Sequence, residues 1–146
     1  MTAGQPPIRV VLDPNVLVSA AITPAGALGR IVALIDAGTI VPIVAEHLVG
    51  EVNNVLGRPK LRHYIDTDGA AAFVAELSRL AEWHGDPVNP PRVCRDRDDD
   101  YLLALAIRSD ADALVTGDQD LHDIQHAGVD IITPRELLER TGAQQQ

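Results

Sequence analysis

One cysteine, Cys94, and one lysine, Lys60, stand in a chain of 146 residues. The lone cysteine excludes an internal disulfide and any multi-cysteine zinc site, and makes a reducing, cytoplasmic setting the expectation. Aromatic residues are as scarce, with one Trp, one Phe and two Tyr. Base stacking therefore has little to work with, and any nucleic acid is expected to be held through its backbone. No apolar run approaches the roughly 18–20 residues needed to span a bilayer. Met1–Pro7 is polar and proline-rich and lacks the basic start of a signal peptide, so no membrane association is expected. Cations are outnumbered, 12 Lys and Arg against 21 Asp and Glu, for a net charge of −9. That balance opposes binding by phosphate neutralisation alone and points to a cation site or a basic partner. A merely solvated acidic surface is the simpler account unless the acids prove to be organised.

What is present is an ordinary globular composition, 46% hydrophobic, with a mean hydropathy near zero and enough length to bury a core. The expectation is one domain over 1–146, with an ordered core over about 8–140 and tails at 1–7 and 141–146. Ile8–Leu12 is a β-branched and aliphatic run that stops at Asp13-Pro14-Asn15, which reads as a buried strand entering a turn. Helical spacing is visible over Ala27–Ala37, Glu46–Leu56, Asp68–Trp83 and Asp99–Ile107, and Ile40–Val44, Ala113–Val115 and Val129–Ile132 read as further strands. The stretch through Pro90 and Pro91 reads as loop or extended chain. Thr133-Pro134-Arg135-Glu136 carries the cap, proline and glutamate of a capping box that opens a last helix. Alternating strands and helices predict an α/β fold, a three-layer α/β/α sandwich with a central, mainly parallel sheet. In such sheets a ligand site lies beyond the carboxyl ends of the strands.

Acids stand at those places. Glu51 falls within the apolar stripe Leu48, Val52, Val55, Leu56 of its helix, where a carboxylate is costly unless it pairs with an arginine or ligates a cation. Asp99 precedes Leu102, Leu103 and Ala106 by three, four and seven residues, so it points along the core face at a helix N-terminus. Asp98 and Asp100 lie to either side of that line, and at least one of them reads as a solvated acid that helps start the helix; a contribution of either to the site stays open. Asp13 ends the first strand, and Asp118 follows Ala113–Val115 through Thr116 and Gly117; either alone is an ordinary turn or cap residue. Together the four are another matter. Two like charges about 4 Å apart repel by roughly 4 kcal/mol even at an effective dielectric near 20. A divalent cation removes that repulsion, and all-oxygen donors suit Mg²⁺ or Mn²⁺.

The segments Val10–Ala20, Glu51–Lys60, Asp96–Asp100 and Ala106–Leu121 together resemble the PIN-domain nucleases, in particular the toxins of toxin–antitoxin systems related to the VapC-type ribonucleases. The likeness runs from about Ile8 to Leu138. It implies a PIN-like fold in which Asp13, Glu51, Asp99 and Asp118 form an acidic, catalytic quartet binding Mg²⁺ or Mn²⁺. Asn15 and Thr116 would be accessory polar residues, with Asp120 at a position that is often acidic. The activity implied is hydrolysis of RNA phosphodiesters by metal-activated water. A cognate antitoxin and a homodimer are the implied partners. One departure is Pro14, which stands where the family usually has a small hydroxyl residue, so that side chain's role is lost.

Arg58, Lys60 and Arg62, with His63, form a local basic cluster that reads equally as a contact to the RNA backbone or as solvated cations at a helix C-terminus. Cys94 reads as a small apolar residue, Trp83 as a cover for the core or an interface, and the pair His122/His126 as surface. His47 and His84 show no metal spacing. An aspartyl-phosphate receiver would need a lysine at a late strand end, and the sole lysine follows a helix instead. The alternative that survives is a non-catalytic PIN-like module that binds RNA or a protein.

Overall fold

The computed structural model describes residues 6–124 and 128–142. Five strands, β1 (Ile8–Leu12), β2 (Ile40–Val44), β3 (Glu82–Trp83), β4 (Ala113–Val115) and β5 (Asp130–Ile132), form one sheet in the order β3-β2-β1-β4-β5. Every pairing is parallel, with Val10 opposite Pro42 on one side and Ala113 on the other. Among the described residues the α-helices are α1 (Pro14–Ile22), α2 (Gly29–Asp36), α3 (Glu46–Leu56), α4 (Thr67–Leu80), α5 (Arg97–Arg108), α6 (Gln119–His122) and α7 (Pro134–Thr141), the last following β5. The chain steps outward from β1 through β2 to β3, then returns across β1 to β4 and β5. Parallel connections are right-handed as a rule, so crossovers run in opposite directions place helices on both faces, the expected α/β/α sandwich. Burial on both faces explains why Val10, Val11 and Leu12, and Ala113, Leu114 and Val115, are continuous apolar runs rather than alternating ones.

Helix α1 is the element that periodicity does not announce. Val16, Leu17, Val18 and Ala20 are all buried, so the helix is apolar nearly all round and has no stripe to read. Its start is nevertheless written in the turn residues: Asp13 is the N-cap and accepts from the Asn15 N–H, and Pro14 fills the first helical position, where a missing N–H costs nothing. The expected helix Asp68–Trp83 is shorter than its pattern. It ends at Leu80, and Glu82–Trp83 turns into the edge strand β3 against Ile43 and Val44. A long-range contact decides this. Arg9 of β1 grips Glu82 with two hydrogen bonds, Nε to Oε1 at 2.8 Å and Nη2 to Oε2 at 2.5 Å, and also caps the carbonyls of Ser109 and Asp110. Trp83 stays half-exposed, its indole N–H donating to the Ser78 carbonyl.

The hydrogen bonds from Arg9, opposed by burial and helped by His84, hold the Glu82 carboxyl down to about 2. A depressed folded-state value means stability that is present above pH 4.5 and is lost as the pH falls through about 2. We expect Glu82→Gln to cost about 1 kcal/mol near neutral pH, modest because the pair is partly solvated. The wild-type advantage should shrink between pH 4.5 and 2 in melting curves. An advantage that grows on acidification would contradict the assignment.

Candidate metal centre

Strands β2 and β4 flank β1; the chain runs from β1 to β2 and β3 on one side, and through α5 to β4 and β5 on the other. This is the topological switch point where open parallel sheets form a crevice. Asp13 follows β1 directly and Thr116 follows β4 directly, so two neighbouring strands deliver polar residues to one place. Asp13 is 7% exposed and Thr116 is fully buried. The Thr116 hydroxyl donates to Asp13 Oδ2 at 2.8 Å and accepts the Asp118 N–H at 3.0 Å. One threonine thus fixes both strand-end acids. Its carbonyl also lies 2.7 Å from Nε2 of His122, whose ring is half-buried. His126 lies outside the described residues.

A cavity of about 130 Å³ opens here, lined by Asp13, Pro14, Asn15, His47, Glu51, Asp96, Asp98, Asp99, Leu102 and Asp118. All four acids of the sequence-derived quartet reach it, from the end of β1, from α3, from the first turn of α5 and from the N-cap of α6. Asn15 lines it as well, whereas Thr116 acts from beneath and Asp120 does not line it. Asp120 contributes its backbone N–H, which donates to Asp118 Oδ1 at 2.9 Å.

Asp13, Asp96 and Asp118 share a construction. Each is an N-cap that commits an oxygen to the N–H two residues on, Asn15, Asp98 and Asp120 respectively. Helix capping therefore aims three carboxylates at one crevice. Asp99 sits among them, 8% exposed, and its carboxyl is pushed up to about 6 by burial and then by the charges of Asp118, Asp96, Asp13 and Asp98. Among the described residues no three of these carboxylates, alone or with a histidine, stand close enough to hold an ion as they are placed. Four carboxylates in one cavity repel one another, and a cation bound there would offset that repulsion. In chemistry the set fits a hard divalent cation: oxygen donors, no thiolate, one cavity.

Asp96 and His47 are the cavity residues that sequence pattern did not single out. Each had a signal. Asp96 lies three residues before Asp99 and His47 four before Glu51, which is same-face spacing on a helix. His47 meets Tyr101 edge-on at 4.9 Å between ring centres, and the Tyr101 hydroxyl donates to Asp86.

Of the two acids beside Asp99, Asp98 is exposed, as a solvated helix starter should be, and Asp100 is not. It is 3% exposed, and its Oδ1 accepts the N–H groups of Val93 and Cys94 at 2.9 and 2.7 Å. Burial pushes its carboxyl up, but these backbone donors and the Arg92 charge outweigh it and hold it below the usual range. Cys94 is half-buried, its thiol pushed up to about 12 by burial, then by its hydrogen bond to Asp100 and the Asp100, Asp99 and Asp118 charges, which disfavours the reactive thiolate. Of the basic cluster, Arg62 is committed elsewhere, donating to the Leu56 carbonyl at the end of α3 and to Thr67. Arg58 and Lys60 are exposed beside it, and none of the three lines the acidic cavity.

A PIN-domain family model matches residues 9–120. The uncharacterized protein MJ1680 of Methanocaldococcus jannaschii is 30% identical over 141 residues, with 90% of each chain covered. Among solved structures, PAE2754 from Pyrobaculum aerophilum superposes with a TM-score of 0.64 over 94% of this chain and 91% of its own, at 20% identity, a likeness of fold. The five-stranded parallel sheet, the crevice at its switch point and a family match that takes in Asp13, Glu51, Asp99 and Asp118 agree: the chain belongs to the PIN-domain family, with the nuclease-type fold of that family.

Proposed function

We propose that this protein is a Mg²⁺- or Mn²⁺-dependent endoribonuclease, with Asp13, Glu51, Asp99 and Asp118 as metal ligands and catalytic residues. The observation that carries the reading is the gathering of these four acids in one cavity beyond the ends of β1 and β4, where the Asp99 carboxyl is pushed up to about 6 by burial and its neighbours. Net charge of −9 is then no obstacle, because the acids are concentrated where a cation cancels them. When bound, the cation supplies a Lewis acid that activates water and neutralises charge developing on a phosphodiester. The chain's own contribution is order. Thr116 holds the Asp13 carboxylate and the Asp118 backbone, the Asn15 and Asp120 N–H groups restrict the Asp13 and Asp118 carboxylates, and Leu102 supplies an apolar part of the wall.

RNA as substrate, a toxin role with a cognate antitoxin as partner, homodimerisation and a cytoplasmic location belong to this proposal and draw on the family likeness. Among the described residues no helix is long and apolar enough to cross a membrane. The competing reading is a non-catalytic PIN-like module, and the spacing of the carboxylates as placed favours it. Incubation of purified protein with a mixed single-stranded RNA panel separates the two. Cleavage is expected in Mg²⁺ or Mn²⁺ and not in EDTA. Absence of any metal-dependent product would favour the binding module instead.

A further inference from the structure

Several cations of this chain are spent on its own structure. Arg9 is bonded to Glu82, Arg62 to the Leu56 carbonyl, Arg79 to Glu76, Arg108 to the Val88 carbonyl, and Arg140 to Asp130. Arg92, Arg95 and Arg97 are different. They fall within six residues between β3 and the first turn of α5, all exposed, and none donates a hydrogen bond to the described residues.

Arg92 and Arg97 line a cavity of about 340 Å³ together with Asn89, Pro90 and Asp100. The acidic cavity takes Asp96, Asp98 and Asp99 from the same stretch of chain. Helical phase explains the division: Asp96 and Asp99 share one face of the α5 N-terminus, and Arg97 and Asp100 the next. The two cavities therefore sit on either side of one turn. In the second, Asp100 is almost fully buried; its Oδ1 is taken by Val93 and Cys94, while its Oδ2 is buried without a hydrogen-bond partner. An orphaned carboxylate oxygen in a native site asks for a donor, and the cations on this cavity are the two arginines.

We propose that this second cavity is a phosphodiester subsite. Arg92 and Arg97 take a backbone phosphate of single-stranded RNA adjacent to the one at the acidic cavity. Asp100 is a positioning residue: it holds the arginine-bearing loop through Val93 and Cys94 and presents Oδ2 to a guanidinium. Guanidinium forks match phosphate oxygens in pairs, and the N-terminus of the 12-residue helix α5 favours an anion beside Arg97. The subsite gives a strongly acidic protein a local cationic grip at the edge of its acid cluster, which Arg58, Lys60 and Arg62 do not border. It rests on the nuclease reading for its substrate, and its test is binding rather than turnover.

Fluorescence anisotropy of a labelled single-stranded oligouridylate, with the full chain carrying Asp99→Asn to prevent cleavage, reads the subsite directly. Adding Arg92→Ala and Arg97→Ala should weaken binding about tenfold or more. The slope of log K against log salt should fall by about 0.7, the value for a single phosphate on a single strand. Neither arginine side chain donates a hydrogen bond to the described residues, so the fold should hold, with only a modest fall in melting temperature from removing the Arg92 charge near Asp100. Arg92→Lys with Arg97→Lys should recover the salt slope and only part of the affinity. Unchanged affinity and slope in the alanine pair would overturn the proposal, as would an equal loss from Arg58→Ala with Lys60→Ala. Equal affinity for a labelled oligoglutamate would overturn it in favour of a protein ligand. Wild-type protein that cleaves RNA while the alanine pair binds normally sinks the subsite and spares the nuclease. Arginine-dependent binding without cleavage by the wild type does the reverse, and no binding at all sinks both.

Discussion

Asp99→Asn is expected to abolish metal-dependent RNA cleavage while making the metal-free protein more stable. The two effects have one cause. Asp99 is buried and faces the charges of Asp118, Asp96, Asp13 and Asp98, and together these push its carboxyl up to about 6 from an ordinary 3.8. The folded state therefore binds this proton more tightly than the unfolded chain does, and wild-type stability declines as the pH rises from 3.8 through 6. Above that window the ionised carboxylate is a standing cost, on the order of 1–3 kcal/mol. Asparagine keeps the shape and removes the charge, so the metal-free variant should melt a few degrees higher at about pH 7.5, with the gain fading below about pH 6. Cleavage should fall by about three orders of magnitude, since a lost ligand removes an interaction on which the transition state depends. Parallel melting curves in EDTA and RNA cleavage assays in Mn²⁺ check both halves. Undiminished cleavage would remove Asp99 from the ligand set, and a lower melting temperature in EDTA would show that repulsion is not what raises its carboxyl.

Thr116→Val should produce the opposite stability change at the same site. The side chains are close in size, but valine offers neither donor nor acceptor. Asp13 Oδ2 would lose its hydroxyl donor in a buried place, and the half-buried Asp118 N–H would lose its acceptor. Each orphaned group costs about 1–3 kcal/mol. With the Asp13 carboxylate freed and the Asp118 backbone no longer tied to it, the site should also bind Mn²⁺ roughly 10–100-fold more weakly, the usual scale for a residue that acts by orienting ligands. Calorimetric titration of Mn²⁺ into wild type, Thr116→Val and Thr116→Ser reads this. Serine keeps the hydroxyl and should restore most of the affinity. Equal affinity in the valine variant would make Thr116 a fold residue only.

Much of this protein is readable from local pattern because its sheet is parallel and buried. Strands β1, β2, β4 and β5 are short apolar runs bounded by turn residues, and α3 and α5 show an apolar stripe on which Glu51 and Asp99 interrupt the phase. The capping box at Thr133 needs only four neighbouring residues and is present as read. Elements that depend on distant partners escape such reading. Helix α1 is enclosed on nearly all sides and shows no period. Strand β3 exists because Arg9, 73 residues away, draws Glu82 to the sheet edge and overrides a helical pattern. Asp98, Asp99 and Asp100 are chemically identical, and helical phase separated Asp99 correctly from its neighbours in direction. It did not foresee that Asp100 would be the more buried, because its partners, Val93 and Cys94, sit on a loop that has no periodicity.

The amino-acid sequence by itself determined the parallel α/β architecture, the family likeness and the four acids, since each rests on residue type, order and spacing along the chain. Tertiary structure alone decided what those acids face. It brought Asp96 and His47 to the same cavity, committed Arg62 to the end of α3 and left Arg92 and Arg97 unspent beside a buried carboxylate. The reason is range. Helical phase and capping act over a few residues, whereas electrostatic environment is set by whatever the fold carries to within a few ångströms, here from strand ends 103 residues apart joined by one threonine hydroxyl.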